Sequence, residues 1–101
     1  MNFLSPTDIL EGKAPANAQY IDVREPIELT AARWPLFENI PLSGFDQGSK
    51  KLDKSRPVVV LCQAGMRSLK AGQYLENQGF GEVWNVDGGI NAASAEGAPL
   101  E

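Results

Sequence analysis

The chain predicts an α/β fold, a doubly wound and mainly parallel sheet with helices on both faces, and three observations lead there. Val58-Val59-Val60-Leu61 is an unbroken apolar run without polar alternation, as expected of a strand covered on both faces. Segments of strand and helix character alternate along the chain, with turn residues between them. The 101 residues, 43% apolar, can bury one modest core but not two, so residues 1–101 are expected to form a single domain.

Each element has a local reason. Ser5-Pro6-Thr7-Asp8 starts a helix over about 6–12, with Ser5 as N-cap, Pro6 at the first helical position and Asp8 in the first turn. Tyr20-Ile21-Asp22-Val23 reads as a strand, and Glu25 to Leu29 as a short helix with Pro26 in its first turn. Asn39-Ile40-Pro41-Leu42 is brief enough to be only an edge strand. A helix over about 44–54 follows, then the central strand Pro57–Leu61 and a helix from Ser68 to Gln78 that Gly79 stops. Glu82-Val83-Trp84-Asn85-Val86 alternates as a strand, and Asp87-Gly88-Gly89-Ile90 turns into a last short helix before Gly97 and Pro99. No internal repeat or low-complexity linker interrupts this order.

The sole cysteine, Cys62, ends the central strand and enters a short loop, Gln63-Ala64-Gly65-Met66-Arg67-Ser68, that leads into a helix. Unpaired N–H groups at a helix start favour an anion, Arg67 adds a positive charge, and small Ala64 with flexible Gly65 lets the loop curl around one sulfur atom. In parallel sheets, ligand sites lie at the carboxyl ends of strands, where Cys62 falls. The competing reading is a buried structural cysteine. With no histidine in the chain, Ser-His-Asp triads, Cys-His dyads and His-ligated metals are excluded. A single cysteine also excludes a disulfide, a Cys-x-x-Cys pair and a multi-thiolate metal site within one chain. No metal or cofactor is expected, and any covalent intermediate on Cys62 must be resolved from outside.

The formal charge of −4 argues against a nucleic-acid partner, and Lys50, Lys51, Lys54 and Arg56 read as the solvated face of a helix and its exit. Met1 to Asp8 carries no basic region and no long apolar run, so it reads as neither signal peptide nor membrane anchor, and a reducing cytoplasm is expected.

Asp22-Val23-Arg24-Glu25-Pro26-Ile27-Glu28-Leu29, Asn39 to Leu42, Cys62 to Ser68, Gly79-Phe80 and Val86-Asp87-Gly88-Gly89-Ile90 together resemble, in order and spacing, the successive blocks of a single-domain rhodanese over residues 5 to 99. The resemblance implies a rhodanese-like fold and a thiosulfate sulfurtransferase. Its loop cysteine takes a sulfane sulfur from a donor such as thiosulfate, becomes a persulfide, and passes the sulfur to cyanide or a thiol by ping-pong kinetics; a protein persulfide is a further candidate donor. Cys62 and Arg67 are then the catalytic candidates, with Gln63, Ala64, Gly65, Met66 and Ser68 around the substrate, and with N–H groups of residues 63 to 67 cradling the terminal sulfur. No general base is needed if the thiolate is already formed. Asp22 either faces the cysteine loop and bonds its backbone or caps the following helix, and Arg24 pairs with an acidic neighbour to join the two loops. Met66 lines the pocket mouth, while Trp34 and Trp84 read as packing residues. The chain departs from the family pattern at Ala32-Arg33-Trp34-Pro35-Leu36-Phe37, where Arg33 takes a common histidine position and Leu36 a common glycine, and at Ala93, where tryptophan is frequent. Trp34 is a candidate to fill part of that missing volume.

Two other function classes compete. Cysteine phosphatases and arsenate reductases also close a strand-end cysteine loop with arginine, but their loop is one residue longer than the four residues between Cys62 and Arg67. A shorter loop suits one sulfur atom better than a tetrahedral oxyanion. A non-catalytic or sulfur-carrier module on the same fold is the other alternative, and the presence of Cys62 argues against its inactive form.

Overall fold

The computed structural model describes residues 1–101. Five strands, β1 (Asn2–Leu4), β2 (Gln19–Asp22), β3 (Glu38–Asn39), β4 (Val58–Leu61) and β5 (Val83–Val86), form one sheet in the order β1-β5-β4-β2-β3. Every neighbouring pair is parallel, so the expected mainly parallel sheet is wholly parallel. Four α-helices accompany it: α1 (Pro6–Leu10), α2 (Phe45–Gly48), α3 (Met66–Asn77) and α4 (Gly89–Ala95).

The apolar run of β4 is central, and its alternation divides the core into two. Val58 and Val60 face one side with Ile21, Val83, Phe45 of α2 and Ala71 and Leu75 of α3. Val59 and Leu61 face the other with Leu4, Val86, Ile9 of α1 and Ile90 and Ala93 of α4. All four β4 residues are inaccessible to solvent, as a strand covered on both faces requires. Trp34 belongs to the second cluster, packed at a tilt of 55° against Phe37 with 5.1 Å between ring centroids and in the same packed group as Ala93, which fits its reading as a packing residue. Trp84 is half-buried and donates its indole N–H to Glu82.

Ser5 caps α1 through a capping box with Asp8, and Pro6 stands in its first turn. The segment after Pro26 folds as a 3-10 helix, Pro26–Thr30. Between 44 and 54 the expected helix is shorter: α2 makes one turn, Ser49–Lys51 tightens into a 3-10 turn, and Leu52 is already extended. A side chain at Gly48 would stand 2.7 Å from Ile40 Cγ2, so this turn lies against the segment after β3. The edge strand is only Glu38–Asn39, one step earlier than the sequence suggested, with Ile40 continuing as backbone bonded to Asp22. Strand β1 was not expected at all: it is three residues long, largely exposed, and exists through its pairing with β5, some 80 positions away, Asn2 opposite Trp84 and Leu4 opposite Val86.

Candidate active site

Strand β4 delivers Cys62 into the gap between its own end and the start of α3. Gly65 is the N-cap of α3 with φ +104°, a left-handed conformation that glycine adopts at little cost and that curls the loop back toward the strand. The Gly65 N–H donates to Cys62 Sγ at 3.0 Å, and Sγ lies 3.3 Å from Ser68 Oγ in the first turn of the helix. Burial pushes the Cys62 thiol pKa up, but the Ser68 hydroxyl and the backbone N–H groups of Ser68, Gly65 and Ala64 outweigh it and hold the pKa below its ordinary value. The cradle therefore includes the Ser68 N–H, one position beyond the span expected from sequence.

Two further contacts fix the loop from outside. The carbonyls of Cys62 and Gln63 accept from the Ile90 and Asn91 N–H groups of α4 at 2.9 and 3.1 Å, and Gln63 Nε2 donates to Asn91 Oδ1 at 2.6 Å. Asn85 of β5 accepts from the Ser68 hydroxyl and donates through Nδ2 to the Gly65 carbonyl at 3.1 Å.

Asp22 and Arg24 are both inaccessible, with side-chain exposures of 2% and 1%, and form a bidentate pair in which Arg24 Nη2 donates to Asp22 Oδ2 at 2.9 Å. Asp22 also accepts the Arg24 backbone N–H and makes no bond to the cysteine loop backbone. Arg24 does join the two loops, donating to Gln63 Oε1 at 3.3 Å and to the Ala32 carbonyl at 2.9 Å. Arg67 is held in turn by Glu28, with both terminal nitrogens 2.7 Å from its carboxylate oxygens. The Arg67 guanidinium takes the Glu28 carboxyl down to about 2, and the hydrogen bonds and charge of Glu28 outweigh burial, which acts the other way, and raise Arg67 above its already high value. Met66, the first residue of α3, is exposed.

Three residues of this arrangement have no role that local sequence assigns: Glu28, Asn85 and Asn91. Asn85 did carry a signal, a polar residue at a core-facing position of an alternating strand, whereas Glu28 meets Arg67 only across 39 positions of chain. The molecule's surface cavity, about 330 Å³ and lined by Asp46, Lys50, Leu52 and Tyr74, shares no residue with the cysteine loop.

This architecture and loop are those of a known class. The Rhodanese-like domain model matches residues 5–96, and the chain belongs to that family. Thiosulfate sulfurtransferase GlpE of Vibrio cholerae is 34% identical over 84 residues, covering 83% of this chain and 79% of that protein. A protein named Sulfurtransferase from Allochromatium vinosum is 35% identical over 80 residues, covering 79% and 75%. The chloroplastic Rhodanese-like/PpiC domain-containing protein 12 of Arabidopsis thaliana is 41% identical over 86 residues, 81% of this chain but only 29% of that longer protein. Among solved structures, a rhodanese-related protein from Thermoplasma volcanium superposes with a TM-score of 0.86 at 31% identity, covering 100% of this chain and 98% of its own. At family level the chain is a rhodanese-type sulfurtransferase.

Proposed function

We propose that the chain transfers a sulfane sulfur from a donor such as thiosulfate to cyanide or a thiol through a persulfide on Cys62, and that it does so in the cytoplasm. The observation that carries this reading is the cradle: one sulfur atom at a helix start, bonded by the Gly65 N–H at 3.0 Å and held below its ordinary pKa, against burial, by the Ser68 hydroxyl and the surrounding N–H groups. In the first half-reaction the Cys62 thiolate attacks the outer sulfur of thiosulfate, the donor's S–S bond breaks, and sulfite leaves with the electron pair. In the second, the acceptor attacks the terminal sulfur and Cys62 leaves as thiolate. Arg67 stands in the loop as the ion-pair partner of Glu28, the 63–68 loop surrounds the transferred atom, and Asp22 with Arg24 supports that loop through Gln63.

One observation favours a protein persulfide as the physiological donor. Both terminal nitrogens of Arg67 are occupied by Glu28, so a small dianion meets a neutralised pair, while exposed Met66 and Ile27 offer apolar contact beside the loop. The test is intact mass before and after thiosulfate and then cyanide. A gain of one sulfur, about 32 Da, lost on cyanide and never seen in Cys62→Ser, is the expected result for a covalent sulfur intermediate. No gain with thiosulfate or with any protein persulfide offered would overturn the reading.

A further inference from the structure

We propose that Asn85 is a positioning residue for Cys62: its side-chain carbonyl holds the Ser68 hydroxyl proton while the sulfur is covalently bonded and yields it when the sulfur is a thiolate. The consequence for turnover rests on the persulfide reading above; the proton sharing itself concerns the free thiol.

The four groups form a closed circuit. The Cys62 thiol donates to Ser68 Oγ, Ser68 donates to Asn85 Oδ1, Asn85 Nδ2 donates to the Gly65 carbonyl, and the Gly65 N–H donates back to Cys62 Sγ. Ser68, Asn85 and Cys62 are all buried, and no buried side-chain polar atom in the molecule lacks a partner. Chemistry sets the orientation of the Asn85 amide. Turned the other way, its oxygen would face the Gly65 carbonyl, acceptor against acceptor. Oδ1 therefore faces Ser68, whose hydroxyl has one proton and two neighbours able to accept it. With a thiol, the sulfur supplies its own proton and every group is satisfied. With a thiolate, Ser68 must turn its proton to Sγ, and Asn85 Oδ1 is left buried without a donor.

Asn85 thus favours the sulfur in its bonded forms, thiol and persulfide, against the free thiolate. When an acceptor removes the outer sulfur, the S–S bond breaks, the electron pair returns to Cys62 Sγ, and the Ser68 proton rotates onto it without leaving its oxygen. The charged groups around the loop are Asp22 at the end of β2, Arg24 just beyond it, Glu28 of the 3-10 turn and Arg67 of α3, each paired with another. Neither β4 nor α4 contributes a charge, and Asp87 beyond β5 is exposed. These groups are common to every variant below.

Because Cys62 is the only cysteine, iodoacetamide alkylation of the whole chain followed by intact mass against pH reads this one thiol without any sulfur donor. Asn85→Leu and Asn85→Asp both lose the bond to the Gly65 carbonyl, so their common effect is loop anchoring and their difference is the acceptor. Asn85→Leu frees Ser68 for the thiolate and is expected to speed alkylation at pH 6 by roughly threefold, whereas Asn85→Asp, a stronger acceptor bearing negative charge, is expected to slow it by about tenfold. In a Ser68→Ala background the acceleration by Asn85→Leu should vanish. Rate changes of the same sign in the Leu and Asp variants, or an undiminished Leu effect without Ser68, would overturn the proposal. If Asn85→Leu loses the parent's far-ultraviolet circular dichroism, Asn85→Val takes its place and must show the same acceleration. A chain that alkylates as stated but takes up no sulfur upholds the proton sharing and overturns the persulfide reading instead.

Discussion

Gly89 is where the last helix meets the cysteine loop at contact distance. Its φ is +57°, and a Cβ there would stand 2.3 Å from the Cys62 carbonyl oxygen and 2.6 Å from Gln63 backbone atoms. Neither neighbour is a flexible side-chain end, so any side chain forces the loop itself to move. Gly89→Ala is expected to lower stability by about 3 kcal/mol, from left-handed strain plus backbone displacement, and to slow Cys62 alkylation. Urea unfolding and the alkylation rate check the two halves of that statement. The Gly-Gly turn was legible in the sequence as a conformational device, but the distance that makes Gly89 irreplaceable was not, because it is set by the approach of α4 to β4 across 27 positions of chain. The same holds for Ser68: its place in the loop was legible, its proton's two destinations were not.

Between elements, the Asp22–Arg24 pair ties the end of β2 to the turn before Trp34 and to Gln63. Both side chains are inaccessible, so each depends on the other for compensation. Arg24→Ala leaves a buried carboxylate without its partner and is expected to cost about 3–5 kcal/mol at pH 7, by urea unfolding. Asp22→Asn combined with Arg24→Met should recover part of that loss, since it removes both charges together. The sequence suggested that Arg24 pairs with an acid to hold two loops, and that is the arrangement found; it left Asp22 between two roles, and Asp22 takes up a third as the partner of Arg24. Element boundaries followed the local signals where those were strong, as at the Ser5 capping box and the apolar run of β4. They drifted where the deciding contact is distant, as for β1, which has no alternation of its own and depends on β5.

Across the whole molecule, one ion pair links the two halves of the sheet's upper edge. Glu28 follows β2, Arg67 follows β4, and their bidentate contact spans the mouth of the loop. The Glu28 carboxyl ordinarily titrates near 4.5 and is held at about 2 in the fold by the Arg67 hydrogen bonds. A lowered carboxyl pKa adds stability that is fully present above the ordinary value and is lost as pH falls from about 4.5 toward 2. Solvent reaches both side chains, so the contribution is on the order of 1 kcal/mol. Glu28→Gln should therefore lower the urea midpoint at pH 7 and remove this component of the acid dependence between those values, as a pH series of unfolding curves would reveal. Freeing Arg67 should also lower the KM for thiosulfate with little change in kcat; an unchanged KM would mean that the pair does not screen the donor.

The sequence by itself determined the parallel α/β architecture and the place of Cys62 at the end of the central strand, because each rests on local signals: an apolar run, capping residues, and a cysteine between a strand and a helix start. Only the tertiary structure decided who holds whom around that sulfur. The parallel strands bring Glu28 to Arg67, Asn85 to Ser68 and Gly65, and Gly89 to the Cys62 carbonyl. These residues lie 17 to 39 positions apart, and no periodicity or spacing along a chain encodes which side chains a crossover will set face to face.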